Sequence, residues 1–257
     1  MTGGLGWYDV LGGPVFNHLL VPLSNILLGY FGLGIIVFTL VVRFVLLPIT
    51  IKQFRGSREM QRKMRAIKPE LKVLQHEYKG NRKKQAQETL KIYREAGISP
   101  LGCLTSPMMM SVVVQMPILV AMIAAVRYAS KIPDNGGSEG MIRVLQEGLS
   151  PQFLWLNLTE NDSTFIMPIL VALTMFVSQM LMTPSADEGL VAQLTRIATI
   201  LMGPLMFLWL CAVNPSGLAL YWLTSMLVNL GIQYYVWSDK QPDSGLVKDT
   251  ESSVFRN

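Results

Sequence analysis

Apolar runs of membrane length alternate with polar stretches along this chain, and their order predicts an all-α polytopic membrane protein. Five runs are long enough to span: 33–54, 100–127, 164–183, 197–213 and 218–237. Ahead of the first, residues 1–32 carry Phe16, Leu19, Leu20, Leu23, Ile26, Leu27 and Tyr30 at helical spacing, with Asn17, His18, Ser24 and Asn25 between them. Together with Pro14 and Pro22, this pattern predicts an interfacial helix lying on the membrane, with His18 at headgroup level rather than on a metal. Between the first two spans, Met60, Met64, Ile67, Leu71, Leu74 and Tyr78 form a heptad seam. Gly80-Asn81 supplies a turn, and Ala86, Leu90 and Tyr93 continue the spacing to Gly97, a helix stop. Residues 55–97 are therefore expected to form an antiparallel helical hairpin, the alternative being a solvated charged loop.

Residues 128–163 make a polar loop with a flexible stretch at Asp134-Asn-Gly-Gly137 and an aromatic segment, Phe153-Leu-Trp155, suited to the membrane interface. Prolines at 107 and 117 imply kinks or freed carbonyls in the second span. Asp162-Ser163 is expected to cap the third span, which is left at Pro184. Residues 184–196 are a further loop. Residues 214–217 allow only a tight turn, so the fifth span returns beside the fourth. Tyr234, Tyr235 and Trp237 form an aromatic belt at its end, and the tail 238–257 has the composition of a disordered segment.

Composition supports the membrane reading: 51% of residues are hydrophobic and only 15% charged, which excludes an ordinary soluble domain. Cys103 and Cys211 lie in apolar runs without Cys-x-x-Cys spacing, so neither a disulfide framework nor a zinc site is expected. The opening MTGGLGWYDV has no basic region ahead of its first apolar run, so no cleaved signal peptide is expected. Fourteen of the 22 basic residues fall within 52–95, against five glutamates. Lysine and arginine near span ends are retained inside, so this loop is expected in the cytoplasm. The acid-rich loop 128–163 is then outside, the N-terminus outside and the C-terminus inside.

One charge interrupts the first run. Arg43 is the eleventh residue of 33–53, which in a straight helix puts it about 15 Å from either end, at the midplane of the bilayer. A central arginine costs roughly 2.5–3.5 kcal/mol on insertion scales and more than about 10 in simulations, so it is expected to face a polar or wet interior. Thr39, Arg43 and Thr50 share a helical face; so do Ser111 with Gln115, Thr174 with Ser178, and Trp222 with Ser225 and Asn229. Singly, such Ser and Thr residues bond to their own backbone or a neighbouring helix. Jointly, with a midplane arginine, they point to a shared polar cavity, the alternative being a static charge satisfied by carbonyls.

No Asp, Glu or His lies in any span, which speaks against proton relays and cation pumps. No phosphate-binding Gly-rich loop, His-Glu-x-x-His or Gly-x-Ser-x-Gly motif occurs, so no catalytic residue, cofactor or metal is expected. Methionines crowd the second to fourth spans, among them Met108, Met116, Met175, Met180, Met202 and Met206. They read either as ordinary packing or as an adaptable surface for varied apolar segments.

Several ordered motifs now resemble one family. They are Arg43-Phe-Val-Leu-Leu-Pro48, the Lys-Pro-Glu-Leu-Lys and Glu-Tyr-Lys within 64–79, Gly97-Ile-Ser-Pro-Leu-Gly-Cys103, Gln115-Met-Pro117, Phe153-Leu-Trp155 and Asn214-Pro-Ser-Gly-Leu-Ala-Leu-Tyr-Trp222. Over nearly all of 7–237 the chain is similar to the YidC family of membrane protein insertases, with its mitochondrial oxidase-assembly and chloroplast Albino-type relatives. The resemblance implies a bacterial plasma-membrane protein with a five-span core around an amphiphilic groove, open to cytoplasm and lipid and closed to the outside. It implies that Arg43 receives the polar part of an incoming chain, that Gln115 and Trp222 hold matching groove positions, and that the hairpin meets substrate first. Clients would be nascent membrane proteins, with the ribosome, signal recognition machinery, Sec translocon and membrane lipids as candidate partners and no specific nucleic acid sequence. The chain departs from some members in lacking a lipoprotein-type cysteine, a large outer domain and a long basic tail, so ribosome tethering through the tail is not expected. The competing readings are an anion-selective channel or transporter with Arg43 as binding charge, and a basic docking arm for ribosomal RNA or anionic lipid on a mere membrane anchor.

Overall fold

The computed structural model describes residues 7–78, 80–98, 107–130, 143–183 and 190–238. Expectations placed on Cys103, Ser106, Asp134 to Gly137, Pro184 and the tail beyond Ser238 lie outside the described residues. Helices dominate: α1 (Trp7–Val15), a π-helical turn (Phe16–Leu20), α2 (Val21–Ile26), α3 (Phe31–Val45), α4 (Leu47–Glu77), α5 (Arg82–Glu95) and α6 (Pro107–Ala129). The order continues with α7 (Arg143–Gln146), β1 (Gln152–Phe153), β2 (Leu156–Asn157), α8 (Ile166–Met182), α9 (Leu190–Ala212) and α10 (Ser216–Ser238). The all-α expectation therefore needs one amendment: β1 and β2 pair antiparallel across the aromatic segment, with Gln152 opposite Asn157 and Phe153 opposite Leu156.

Helix α10 is the hub, packing on α3, α4, α6 and α8, whereas α9 rests almost wholly on α8. Among the described residues one helix is long and apolar enough to cross a membrane by itself, at Gln193–Ala212. Helices α3 and α4 pass the same test as a bent pair, and Gln115–Ala129 and Ile166–Met182 are shorter apolar helices. The central α10 is absent from that group because polar residues, the buried Ser225 and Gln233 among them, interrupt its apolar sequence.

Two expectations change: the stretch 184–196, read as a loop, is helical from Leu190, and the first span is bent. The run 33–53 is not one straight helix: α3 and α4 meet at Leu46 with a bend of 63°. Pro48, in the first turn of α4, has no N–H for the carbonyl of Phe44, and its ring crowds that carbonyl. Arg43 thus sits one turn before an elbow, and the midplane arithmetic for a straight span does not apply. The N-terminal helix, expected to lie at the membrane interface, packs on the bundle as well. Phe16 and Leu20 are fully buried in the main core, and the Phe16 ring meets Phe31 edge-on at 5.9 Å and Tyr128 at 5.7 Å. Gly12 permits this, because a Cβ there would collide with the Ala124 backbone of α6. Asn17, His18 and Leu19 remain exposed, so the segment has one face on protein and another outward.

One end of the bundle is closed by main-chain hydrogen bonds between distant segments. Phe31 N–H donates to Ser150 O, Ser150 N–H to Gly29 O, Ser216 N–H to Glu160 O and Gly217 N–H to Leu158 O. Most of the buried apolar side chains, including Phe31, Ile35, Val126, Leu158 and Leu218, collect beneath this capped end. Asp162 organises its helix start: Oδ1 accepts from the Thr164 N–H at 2.9 Å and Oδ2 from the Met167 N–H at 2.8 Å. Burial works against the Asp162 carboxylate, but the Thr164 hydroxyl and the N–H groups of Met167, Thr164 and Ile166 outweigh it and hold the group below the usual carboxylate range.

At the other end, α4 runs on for 31 residues without a break and becomes the first arm of the hairpin. Asn81 caps α5 by accepting the Lys84 N–H at 3.2 Å, and Gly97, at φ +67°, ends it with Ile98 N–H returning to Tyr93 O. Of the heptad positions, Ile67 and Leu74 are buried. Side chains tie the arm to the bundle: Arg58 donates to Val236 O at 2.7 Å and Gln61 to Met182 O at 2.9 Å.

Candidate functional site

Three helices bring their polar side chains together around Arg43. From α3 the guanidinium donates to Gln115 Oε1 of α6 at 3.1 Å and to Asn229 Oδ1 of α10 at 3.3 Å. Gln115 in turn donates from Nε2 to the Tyr221 hydroxyl at 3.1 Å. Arg43 is only 8% exposed. Its charge is therefore met by neutral acceptors, which soften the burial cost through charge-assisted hydrogen bonds without cancelling the charge. Two of the five guanidinium N–H donors are taken by these bonds. Such a site can hold an acceptor-rich or negatively charged group without first displacing a resident carboxylate.

The other sequence-derived candidates fall into different places. Thr39 and Thr50 are buried, and each hydroxyl bonds back to its own helix, Thr39 to Ile35 O at 2.6 Å and Thr50 to Leu46 O at 3.0 Å. They flank Arg43 without bonding to it. Ser225 is buried one turn from Tyr221 on the same face of α10. Trp222 is buried on a different side of α10, edge-on to Phe207 at 5.3 Å, and is not brought to Arg43. The side chain of Ser111 lies outside the described residues. Thr174 bonds to Leu170 O, while Ser178 donates to Gln233 Oε1 at 3.0 Å and so joins α8 to α10.

Tyr221 and Gln233 were not among the sequence candidates. Their signal is present in hindsight: Tyr221, Ser225, Asn229 and Gln233 recur every fourth residue, which makes one stripe along α10. Trp222, one residue on from Tyr221, is turned by about 100° and faces Phe207 instead.

The methionines divide as well. Met122 and Met167 are buried, whereas Met116, Met180, Met202 and Met206 are exposed. Helix α6 makes no extended contact with α8 or α9 among the described residues, so these two walls are joined through α10.

This arrangement is a mostly helical bundle built round a buried arginine whose hydrogen-bond partners among the described residues are neutral, consistent with a helical membrane protein. The pattern of the 60Kd inner membrane protein family matches residues 23–243, and the chain belongs to that family, the YidC/Oxa1 group. It is 30% identical over 225 residues to the membrane protein insertase YidC of Fusobacterium nucleatum, which covers 86% of this chain and 93% of that protein. It is 30% identical over 236 residues to membrane protein insertase YidC 2 of Bacillus anthracis, covering 90% and 80%. With the insertase YidC of Pediococcus pentosaceus it shares 34% identity over 221 residues, 84% and 70% of the two chains. It is accordingly an integral protein of a bacterial inner membrane.

Proposed function

We propose that this chain is a membrane protein insertase that receives hydrophobic segments of nascent membrane proteins in a hydrophilic groove and releases them sideways into lipid. The observation that carries the reading is the Arg43 guanidinium, held inside the bundle by Gln115 and Asn229 with no carboxylate. The groove would lie between α6 and the α8–α9 pair, with α3 and α10 behind it. The exposed Met116, Met180, Met202 and Met206 would offer adaptable apolar walls.

Magnitudes favour this use of the charge. Carrying an Asp through the bilayer centre costs about 2.5–3.5 kcal/mol. A guanidinium about 4 Å away offers about 4 kcal/mol at an effective dielectric of about 20, which is the same size. The arginine therefore offsets the one term that an acidic translocated segment cannot supply. Partition of the apolar segment into lipid provides the drive, so no nucleotide and no covalent step are required. The proposed topology is five spans, with the N-terminus outside and the basic hairpin and C-terminus in the cytoplasm. The hairpin would meet clients first, with the ribosome, signal recognition machinery and Sec translocon as partners there.

The test is insertion by the purified protein alone in liposomes, with two single-span substrates that differ only by two Asp residues in the translocated segment. Arg43→Ala is expected to slow the acidic substrate by about tenfold or more and the neutral one far less, while Arg43→Lys retains most activity. Equal loss on both substrates in folded Arg43→Ala protein would make Arg43 structural. Chloride flux without insertion would favour the anion-channel reading.

A further inference from the structure

We propose that the capped end is seated in lipid, with Leu28, Leu154 and Phe165 as anchors whose side chains enter the border between headgroups and acyl chains. Among the described residues these three are the non-glycine positions with positive φ, at 61°, 57° and 57°. Each is large and apolar, and they are 86%, 75% and 52% exposed. The left-handed conformation suits glycine or asparagine and is rarely adopted by leucine or phenylalanine. Leu154 is the first of the two residues in the β1–β2 turn, where a positive φ favours glycine. Leu28 lies in the α2–α3 turn and Phe165 immediately precedes α8.

The three turns belong to one end of the molecule. Gly29, beside Leu28, bonds to Ser150, which leads into β1; Glu160, shortly before Phe165, bonds to Ser216. In water, an exposed leucine on a strained backbone gains nothing over glycine. At a lipid border the same side chain gains by partition, and the turn displays it outward. What selects lipid over a protein partner is continuity: Phe165, Ile169 and Leu173 stand four residues apart and are all exposed, so Phe165 heads the outward stripe of α8. Ile26 and Trp155, next to the other two anchors, are exposed as well. Polar Asn25, Gln152, Asn161 and Thr164 are exposed between them, the mixture that a headgroup layer accommodates.

The experiment uses the unmodified full-length chain, purified alone, in phosphatidylethanolamine–phosphatidylglycerol vesicles doped with a phospholipid carrying a diazirine on its acyl chain. After illumination, adducts are mapped by peptide mass spectrometry, and hydroxyl-radical oxidation from the aqueous side is mapped in parallel. Leu28, Leu154 and Phe165 are expected to take lipid label within about threefold of Ile169 and about tenfold above Asn161, with little oxidation. Oxidation like that of Asn161, without lipid label, would place the turns in water and overturn the proposal. Protection from both reagents would mean that a second copy covers them, which overturns it equally.

Discussion

At the capped end, segments far apart in the chain exchange main-chain hydrogen bonds, as Ser150 does with Gly29 and Phe31, whereas the hairpin is tied back to the bundle by the side chains of Arg58 and Gln61. The first kind of bond cannot be lost without unfolding the loops that make it. The second can open while every helix stays intact, because a side chain swings away and a carbonyl at a helix end finds water. The contrast extends to packing. Phe16, Phe31 and Leu218 are buried under the cap, while most residues of α5 face outward. The two ends, joined through the elbow at Leu46, are thus held by bonds of different kinds.

The strongest challenge to the fixed end is Phe16→Ala, which empties a fully buried site between the Phe31 and Tyr128 rings. It is expected to cost about 3 kcal/mol, seen as a lower melting temperature of the purified protein in detergent. A change below about 0.5 kcal/mol would mean that the N-terminal segment is not part of the core.

Arg58→Ala combined with Gln61→Ala addresses the arm. The lost bonds involve a charged donor and two helix-end carbonyls, so local opening should become easier by about 1.5–3 kcal/mol. Faster amide exchange along 62–77 with an unchanged melting temperature is the expected result. Equal destabilisation of both ends would erase the distinction between them.

The smallest expected effect sharpens the comparison at the α8 start. Asp162→Asn keeps an acceptor but removes the charge that receives several N–H groups, and should cost about 1 kcal/mol. Because the folded protein holds this carboxylate below its usual range, its contribution is complete above about pH 4 and fades as pH falls through the lowered value. Wild type and variant should therefore converge in melting temperature toward acid pH. A gap that stays constant from neutral to acid pH would assign the effect to packing.

Much of this was legible in the residues. The Asp162 cap, the Gly80-Asn81 turn and the Gly97 stop are local devices, and each appears in the structure where its sequence signal lies. The interfacial reading of the N-terminal segment was incomplete because its spacing reports only that a face is apolar. Whether lipid or protein covers that face depends on Gly12 letting α1 approach α6. The partner of Gln115 on α10 is not legible for a related reason: Trp222 and Tyr221 are both aromatic, and nothing local says which one meets it.

Sequence alone determined that apolar runs would become helices, that one of them carries an arginine without an acid in any of these runs, and that the basic charge gathers within 52–95. These follow from composition and from periods of a few residues, which act over one or two turns. Tertiary structure alone decided the 63° elbow, the choice of Gln115 and Asn229 as the acceptors for Arg43, and the Ser178–Gln233 link. The Arg43 bonds join residues 72 and 186 positions apart. Their geometry depends on how whole helices rotate and lean on α10, and that is set by side-chain packing across the bundle rather than by any period along the chain.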